Sequence, residues 1–188
     1  RLRRARRLFL GVAIVTSANG EGQMAAILDL FKHAGEKLKF PKIRLAVVRS
    51  HQTGGDLSSP IDKHTIYRLS PSRHTNYQGW IRLTSEEYHS DTGRSFFGSI
   101  SPDGLFVPSK DFRRSDHPGL MGALRKLATD PGKTAAEFGR LLGRCCFCNL
   151  HLEDERSTAM GYGPICSKKW GLPWGDKAVD LTATPQAV

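Results

Sequence analysis

The sequence predicts an α+β fold: a small, mainly antiparallel sheet with flanking helices and a cysteine knuckle toward the C-terminal end. Three observations predict it. Apolar residues recur at helical spacing before residue 40 and again after residue 118, whereas the stretch between alternates with the two-residue period of strands. Ser101-Pro102-Asp103-Gly104 joins two β-rich runs as a hairpin turn. All four cysteines of the 188-residue chain lie between positions 145 and 166.

The elements follow in order. Met24, Ile27, Leu28, Phe31 and Leu38 share one face of an amphipathic helix over 21–38, and Pro41 marks its stop. Ile43–Val48 is β-branched enough for a first strand. His51–Pro60, rich in Gly, Ser and Thr, reads as a surface loop, and Ile61–Leu69 as a second strand. A polar turn over 71–79 leads into a third strand over 80–84. Ser95–Ile100 and Leu105–Val107 form the hairpin. Helices are expected over 118–128 and 134–142, broken at Asp130-Pro131-Gly132. The organisation expected is a basic and apolar arm over 1–20, an α+β body over 21–142, a knuckle module over 143–175 and a flexible tail over 176–188.

Cys145 and Cys148 form a C-x-x-C pair, and Cys166 follows after 17 residues. A tight turn can point two thiolates at one cation while a later segment returns a third, and zinc takes four tetrahedral ligands closed by Cys or His. Zinc held by Cys145, Cys148 and Cys166 is therefore expected. Cys146, His151 and Asp154 are the local choices for the fourth ligand. Cys146 adjoins another ligand, which makes joint coordination awkward, so His151 is preferred. The alternative use is four reduced thiols packed as small apolar side chains.

Gly143-Arg144-Cys145-Cys146-Phe147-Cys148, then Leu152, Asp154, Arg156-Ser157 and Gly161-Tyr162-Gly163-Pro164-Ile165-Cys166, resemble a known motif. It is the C-terminal zinc knuckle of a family of uncharacterised small proteins encoded mainly by bacteriophages and actinobacteria. The Trp170-Gly171-Leu172-Pro173-Trp174-Gly175 run is similar to the tail that follows that motif. The resemblance is strongest over 140–175. It implies a metal site and a phage or bacterial setting, and it supplies no reaction.

The formal charge is +10, and five arginines among the first seven residues supply half of it. The rest of the chain is mildly basic, which favours anionic partners. Arg44, Arg68, Arg73, Arg82 and Arg94 lie on or beside the strands, with Tyr77 and Trp80 interleaved, and Lys168 and Lys169 follow Cys166. Basic side chains attract phosphates and aromatic faces stack bases, the pattern of single-strand binding. The expected function is thus a zinc-containing phage or bacterial accessory protein that binds nucleic acid. A module docking on a host or phage protein is the first alternative, and a zinc-dependent hydrolase the second.

Enzyme motifs are thin. Asp130-Pro131-Gly132-Lys133-Thr134 resembles the end of a phosphate-binding loop, but Leu127 stands where that pattern needs glycine, and a helix start explains it better. The carboxylates do not assemble into a two-metal set. Leu8–Val15 is an apolar run of eight residues, far too short to cross a bilayer, and is read as part of an arm rather than a secretory leader. Clustered cysteines with none elsewhere point to a reducing compartment, so a cytoplasmic location in a bacterial host is expected, with no membrane partner.

Overall fold

The computed structural model describes residues 24–49, 58–110, 112 and 119–174. The arm over 1–20, the tail over 176–188 and most of the His51–Pro60 loop lie outside the described residues.

The order of elements is α1 (Ala25–Gly35), β1 (Ile43–Val48), β2 (His64–Pro71), β3 (Ile81–Ser85), β4 (Phe96–Ile100), β5 (Phe106–Pro108), α2 (Leu120–Thr129), α3 (Pro131–Leu142), α4 (Glu155–Met160) and α5 (Pro164–Trp170). A 3-10 turn over Thr75–Tyr77 interrupts the β2–β3 connection. Among the described residues, five strands form one antiparallel sheet in sequence order, with β1 and β5 at its edges. The α+β expectation holds, with a sheet of five strands and flanking helices.

Alternation sorts the strand residues between two faces. Ile43, Leu45, Val47, Tyr67, Leu69, Ile81, Leu83 and Ile100 are buried and belong to the core. On the opposite face Arg44, Arg68, Thr84 and Phe96 stand in one cross-strand row, because each is paired with the next. A register shift between Leu83 and Thr84 leaves Phe97 as an extra residue, and its ring packs edge-on against Tyr67 at 5.1 Å.

The core is continuous from sheet to knuckle. Met24, Ile27, Phe31 and Ala34 of α1, Leu120, Leu124 and Leu127 of α2, and Ala135 and Phe138 of α3 are buried with the strand residues. Cys145, Cys146, Phe147, Tyr162, Cys166 and Trp170 join the same cluster. Trp170 is the hub: its ring stacks on Phe147 at 4.5 Å and meets Phe31 edge-on at 5.3 Å. Such ring pairs add about 0.5–1.5 kcal/mol each beyond area burial.

Burial pushes the phenols of Tyr67 and Tyr162 up to about 12. Each neutral phenol is favoured in the fold, while in the unfolded chain it ionises near pH 10. Their contribution is therefore whole below pH 10 and is lost as pH rises through 12. Urea midpoints should fall by the equivalent of about 2–3 kcal/mol per tyrosine between pH 9 and 12. Tyr67→Phe should remove its share of that dependence, and an unchanged alkaline slope would contradict the assignment.

Candidate functional site

The knuckle begins where α3 stops. Gly143 ends α3 in the left-handed conformation, and the chain then reverses over Cys145–Leu150. The Cys145 amide donates to the Leu150 carbonyl (2.9 Å), the Asn149 amide to the Cys145 carbonyl (2.9 Å) and the Leu152 amide to the Gly143 carbonyl (3.0 Å). This tight turn places Asn149 at φ 65°, the sole positive φ at a non-glycine among the described residues. Asparagine tolerates that conformation better than other side chains. After α4 the chain turns at Gly161, and Gly163-Pro164 opens α5, with Pro164 in its first turn. Cys166 thereby sits in the first turn of α5 and returns toward the knuckle.

The sulfurs of Cys145, Cys148 and Cys166 all lie within 4.8 Å of one another. Tetrahedral zinc with sulfur at about 2.3 Å needs them about 3.8 Å apart, so the three are close to ligating separation. Backbone amides also aim at the sulfurs: those of Cys148 and Phe147 at Cys145, and that of Leu150 at Cys148. Hydrogen bonds from the thiols of Cys145 and Cys166 hold Cys148 well below the ordinary thiol range, while the donating Cys166 is pushed up. Cys148 thus favours the thiolate while Cys145 and Cys166 are pushed the other way, and the three sulfurs face one another at a separation that suits a metal cation.

The three choices for a fourth ligand are placed differently. Cys146 is fully buried in the core, and desolvation pushes its thiol well up. Asp154 caps α4, its carboxylate accepting from the Ser157 amide at 2.9 Å. His151 is exposed on the knuckle hairpin, bridged to Arg144, and its ring is not among the atoms gathered within 4.8 Å.

The knuckle docks on the edge of the sheet through Arg44. Its amide donates to the Cys146 carbonyl (2.9 Å), and its guanidinium donates to the Phe147 carbonyl (2.9 Å) and to Glu86 (3.0 Å). Arg44 was expected to meet nucleic acid; at 8% exposure it is instead a strut between sheet, Glu86 and knuckle. Arg68 and Arg94 also approach Glu86, at 3.9 and 4.0 Å.

The remaining basic and aromatic residues divide into two groups. Arg82 is exposed on the open face of the sheet, its guanidinium 5.1 Å from the centre of the Phe96 ring. Arg73 stands 4.5 Å over Phe40, and Arg94 5.9 Å over Tyr88. Exposed Tyr77 meets Trp80 edge-on at 5.7 Å in the β2–β3 connection. Lys168 and Lys169 belong to the last turn of α5, which packs on α1 through Trp170 and Phe31, away from that face. Sequence reading missed Glu86 as the shared counter-charge, and it missed Lys39, Phe40 and Lys42. Their only signal was a short basic run before β1.

Residues 135–171 match a family of unknown function (DUF6011). The match covers most of α3 and the whole knuckle through α5, and none of the sheet. No curated protein and no solved structure matches the chain. Among the described residues, no helix is long and apolar enough to cross a membrane.

Proposed function

We propose that the cysteine cluster holds one structural zinc ion, and that the protein binds nucleic acid, preferably single-stranded, as an accessory protein of a phage or its bacterial host. Cys145, Cys148 and Cys166 would supply thiolates. His151 is the favoured fourth ligand, since Cys146 is committed to the core and Asp154 to the α4 cap. When bound, the metal supplies cross-linking rather than a reaction: it ties the α3–α4 connection to α5, and through Arg44 it fixes the edge of the sheet. The motif resemblance over 140–175 is what supports the phage or bacterial setting.

One observation carries the nucleic-acid reading. Three arginines are laid over the aromatic rings of Phe40, Phe96 and Tyr88, all three rings exposed. Such pairs offer a stacking surface and a phosphate partner side by side, and base–aromatic stacking is worth about 1–3 kcal/mol per base. Fluorescence polarisation with single- and double-stranded oligonucleotides tests it. Single strands should bind more tightly, and affinity should fall steeply between 50 and 200 mM salt as counterions are recaptured. Arg82→Ala should weaken binding and reduce the salt slope by about one unit. Absence of binding at low salt would overturn the reading.

A protein-docking role is the second reading. It is favoured by a cavity of about 690 Å³ between β1 and the α2–α3 pair, lined by Leu45, Val47, Ala123, Phe138 and Leu141 among others. Docking there would persist at moderate salt, where phosphate contacts fade.

A further inference from the structure

A second cavity, of about 340 Å³, opens where the segment before β1 meets the end of β2 and the start of β3. Five cationic side chains line it, from Lys39, Lys42, Arg68, Arg73 and Arg82, with no carboxylate among the described lining. From its position and chemistry we propose that this cleft is a binding site for a phosphate group of a nucleotide chain, with the Phe40 ring beside it to stack the adjoining base. Assigning the phosphate to nucleic acid rests on the function proposed above; the affinity of the cleft for a phosphate group does not.

The charge balance supports the site. Glu86 is the nearby counter-charge, and it is shared among Arg44, Arg68 and Arg94 at 3.0, 3.9 and 4.0 Å. Arg44 takes Oε1, while Oε2, which accepts no hydrogen bond among the described residues, lies nearest Arg68 and Arg94, so Lys39, Lys42, Arg73 and Arg82 form no ion pair with a described carboxylate. The buried Nε of Arg68 has no hydrogen-bond partner among the described residues. Burial, together with the charges of Arg68, Arg44 and Arg73, lowers the Lys42 ammonium from its ordinary value, even against the opposing pull of Glu86. A fold that brings this much like charge together bears a repulsive cost, and a multiply charged anion relieves it.

The shape of the site favours phosphate over a simple carboxylate. Guanidinium forks present paired donors that match the edges of a tetrahedral oxyanion. Arg68 lies on the wall, Arg82 opposite Ser70 on the next strand, and Arg73 beyond the strand end, so donors converge from several directions. Phe40 is 54% exposed, with Arg73 at 4.5 Å and Lys39 at 5.4 Å from its ring centre. Both cations can follow a phosphate seated beside the ring and leave a ring face to a base.

The test uses the full chain and a Lys42→Gln/Arg82→Gln variant, whose altered side chains carry no hydrogen bond among the described residues. The probes are inorganic phosphate and a ten-residue oligothymidylate with either a 5′-phosphate or a 5′-hydroxyl. Millimolar phosphate should raise the melting temperature of the parent protein and leave the variant unmoved. Oligonucleotide affinity should fall at least about tenfold in the variant, and the salt slope by about two units. A preference of the parent for the 5′-phosphate form would place a terminal phosphate in the cleft; equal affinities with the same loss in the variant would place an internal one there. Phosphate stabilisation that is lost in the variant, without oligonucleotide binding, would support the cleft and overturn the nucleic-acid reading. Oligonucleotide binding equal in parent and variant, with no response to phosphate, would overturn the cleft and leave that reading standing.

Discussion

On the zinc assignment proposed above, a Cys166→Ser variant is expected to lose the metal and, with it, a cooperative thermal transition at ordinary temperatures. The Cys166 sulfur completes a group within 4.8 Å of Cys145 and Cys148, and its backbone lies in the first turn of α5, which carries Trp170 into the core. Binding free energies for structural zinc are about 10–16 kcal/mol, comparable with the whole stability of a domain at about 5–15 kcal/mol. Ligand loss therefore acts as folding loss. It should spread beyond the knuckle, because Phe147 and Trp170 pack on Phe31 of α1 and because Arg44 hangs on two knuckle carbonyls. Elemental analysis and a melting curve check this together. Cys146→Ser is the control: it should keep the metal while losing about 1–3 kcal/mol for a hydroxyl placed in an apolar site. A Cys166→Ser protein with full metal content and an unchanged melt would overturn the metal-centre assignment.

Gly161→Ala should destabilise the fold by about 3–5 kcal/mol, read from urea unfolding. Two independent costs act at this residue. Its φ of 73° is a conformation in which a side chain is strained, and a Cβ there would collide with the backbone of Ala135 and Ala136 in α3. Gly139 answers it from the other side, since a Cβ on Gly139 would run into the backbone of Gly161. The two glycines let α3 and the end of α4 touch main chain to main chain, and that closeness sets where Cys166 returns. Because backbone rather than a flexible side chain stands in the way, little relaxation is available. Gly122→Ala supplies the contrast: it is inside α2 with nothing within 4 Å of a new Cβ, so it should stabilise by about 0.5–1 kcal/mol. Similar small effects at Gly161 and Gly122 would contradict the close crossing.

Features with a local physical cause were legible in the sequence. The apolar spacing of Ile27 and Phe31 gave away α1, the Pro-Asp-Gly turn gave away the β4–β5 hairpin, and the C-x-x-C…C spacing brought three sulfurs together as read. Boundaries were less visible. The second strand was expected over 61–69 and runs over His64–Pro71, because pairing with both β1 and β3, not local composition, sets its ends. The helix expected over 134–142 begins at Pro131, where Asp130 caps it by accepting from the Lys133 amide at 2.9 Å. The short α4 was not anticipated at all; six residues carry too little periodicity to announce themselves. Contacts at long range were invisible in principle. Nothing near Arg44 in sequence says that Glu86, 42 positions away, will neutralise it, or that Phe147, 103 positions away, will accept its hydrogen bond. The same holds for the basic cleft, whose members meet because the segment before β1 folds back over the ends of β2 and β3.

The seat of the knuckle on β1 has a consequence for the fate of a damaged chain. Among the described residues β1 is an edge strand, and an open edge is a template onto which another chain can add a strand. In the intact protein the Cys146 carbonyl occupies the Arg44 amide, so the knuckle plugs the start of that edge. If the cysteines hold zinc as proposed, stripping it would withdraw the plug and present β1, with its exposed Val48, to its neighbours. A chelated or oxidised molecule would then be removed by self-association as well as by unfolding. The cysteines in this view guard solubility as much as they hold the fold.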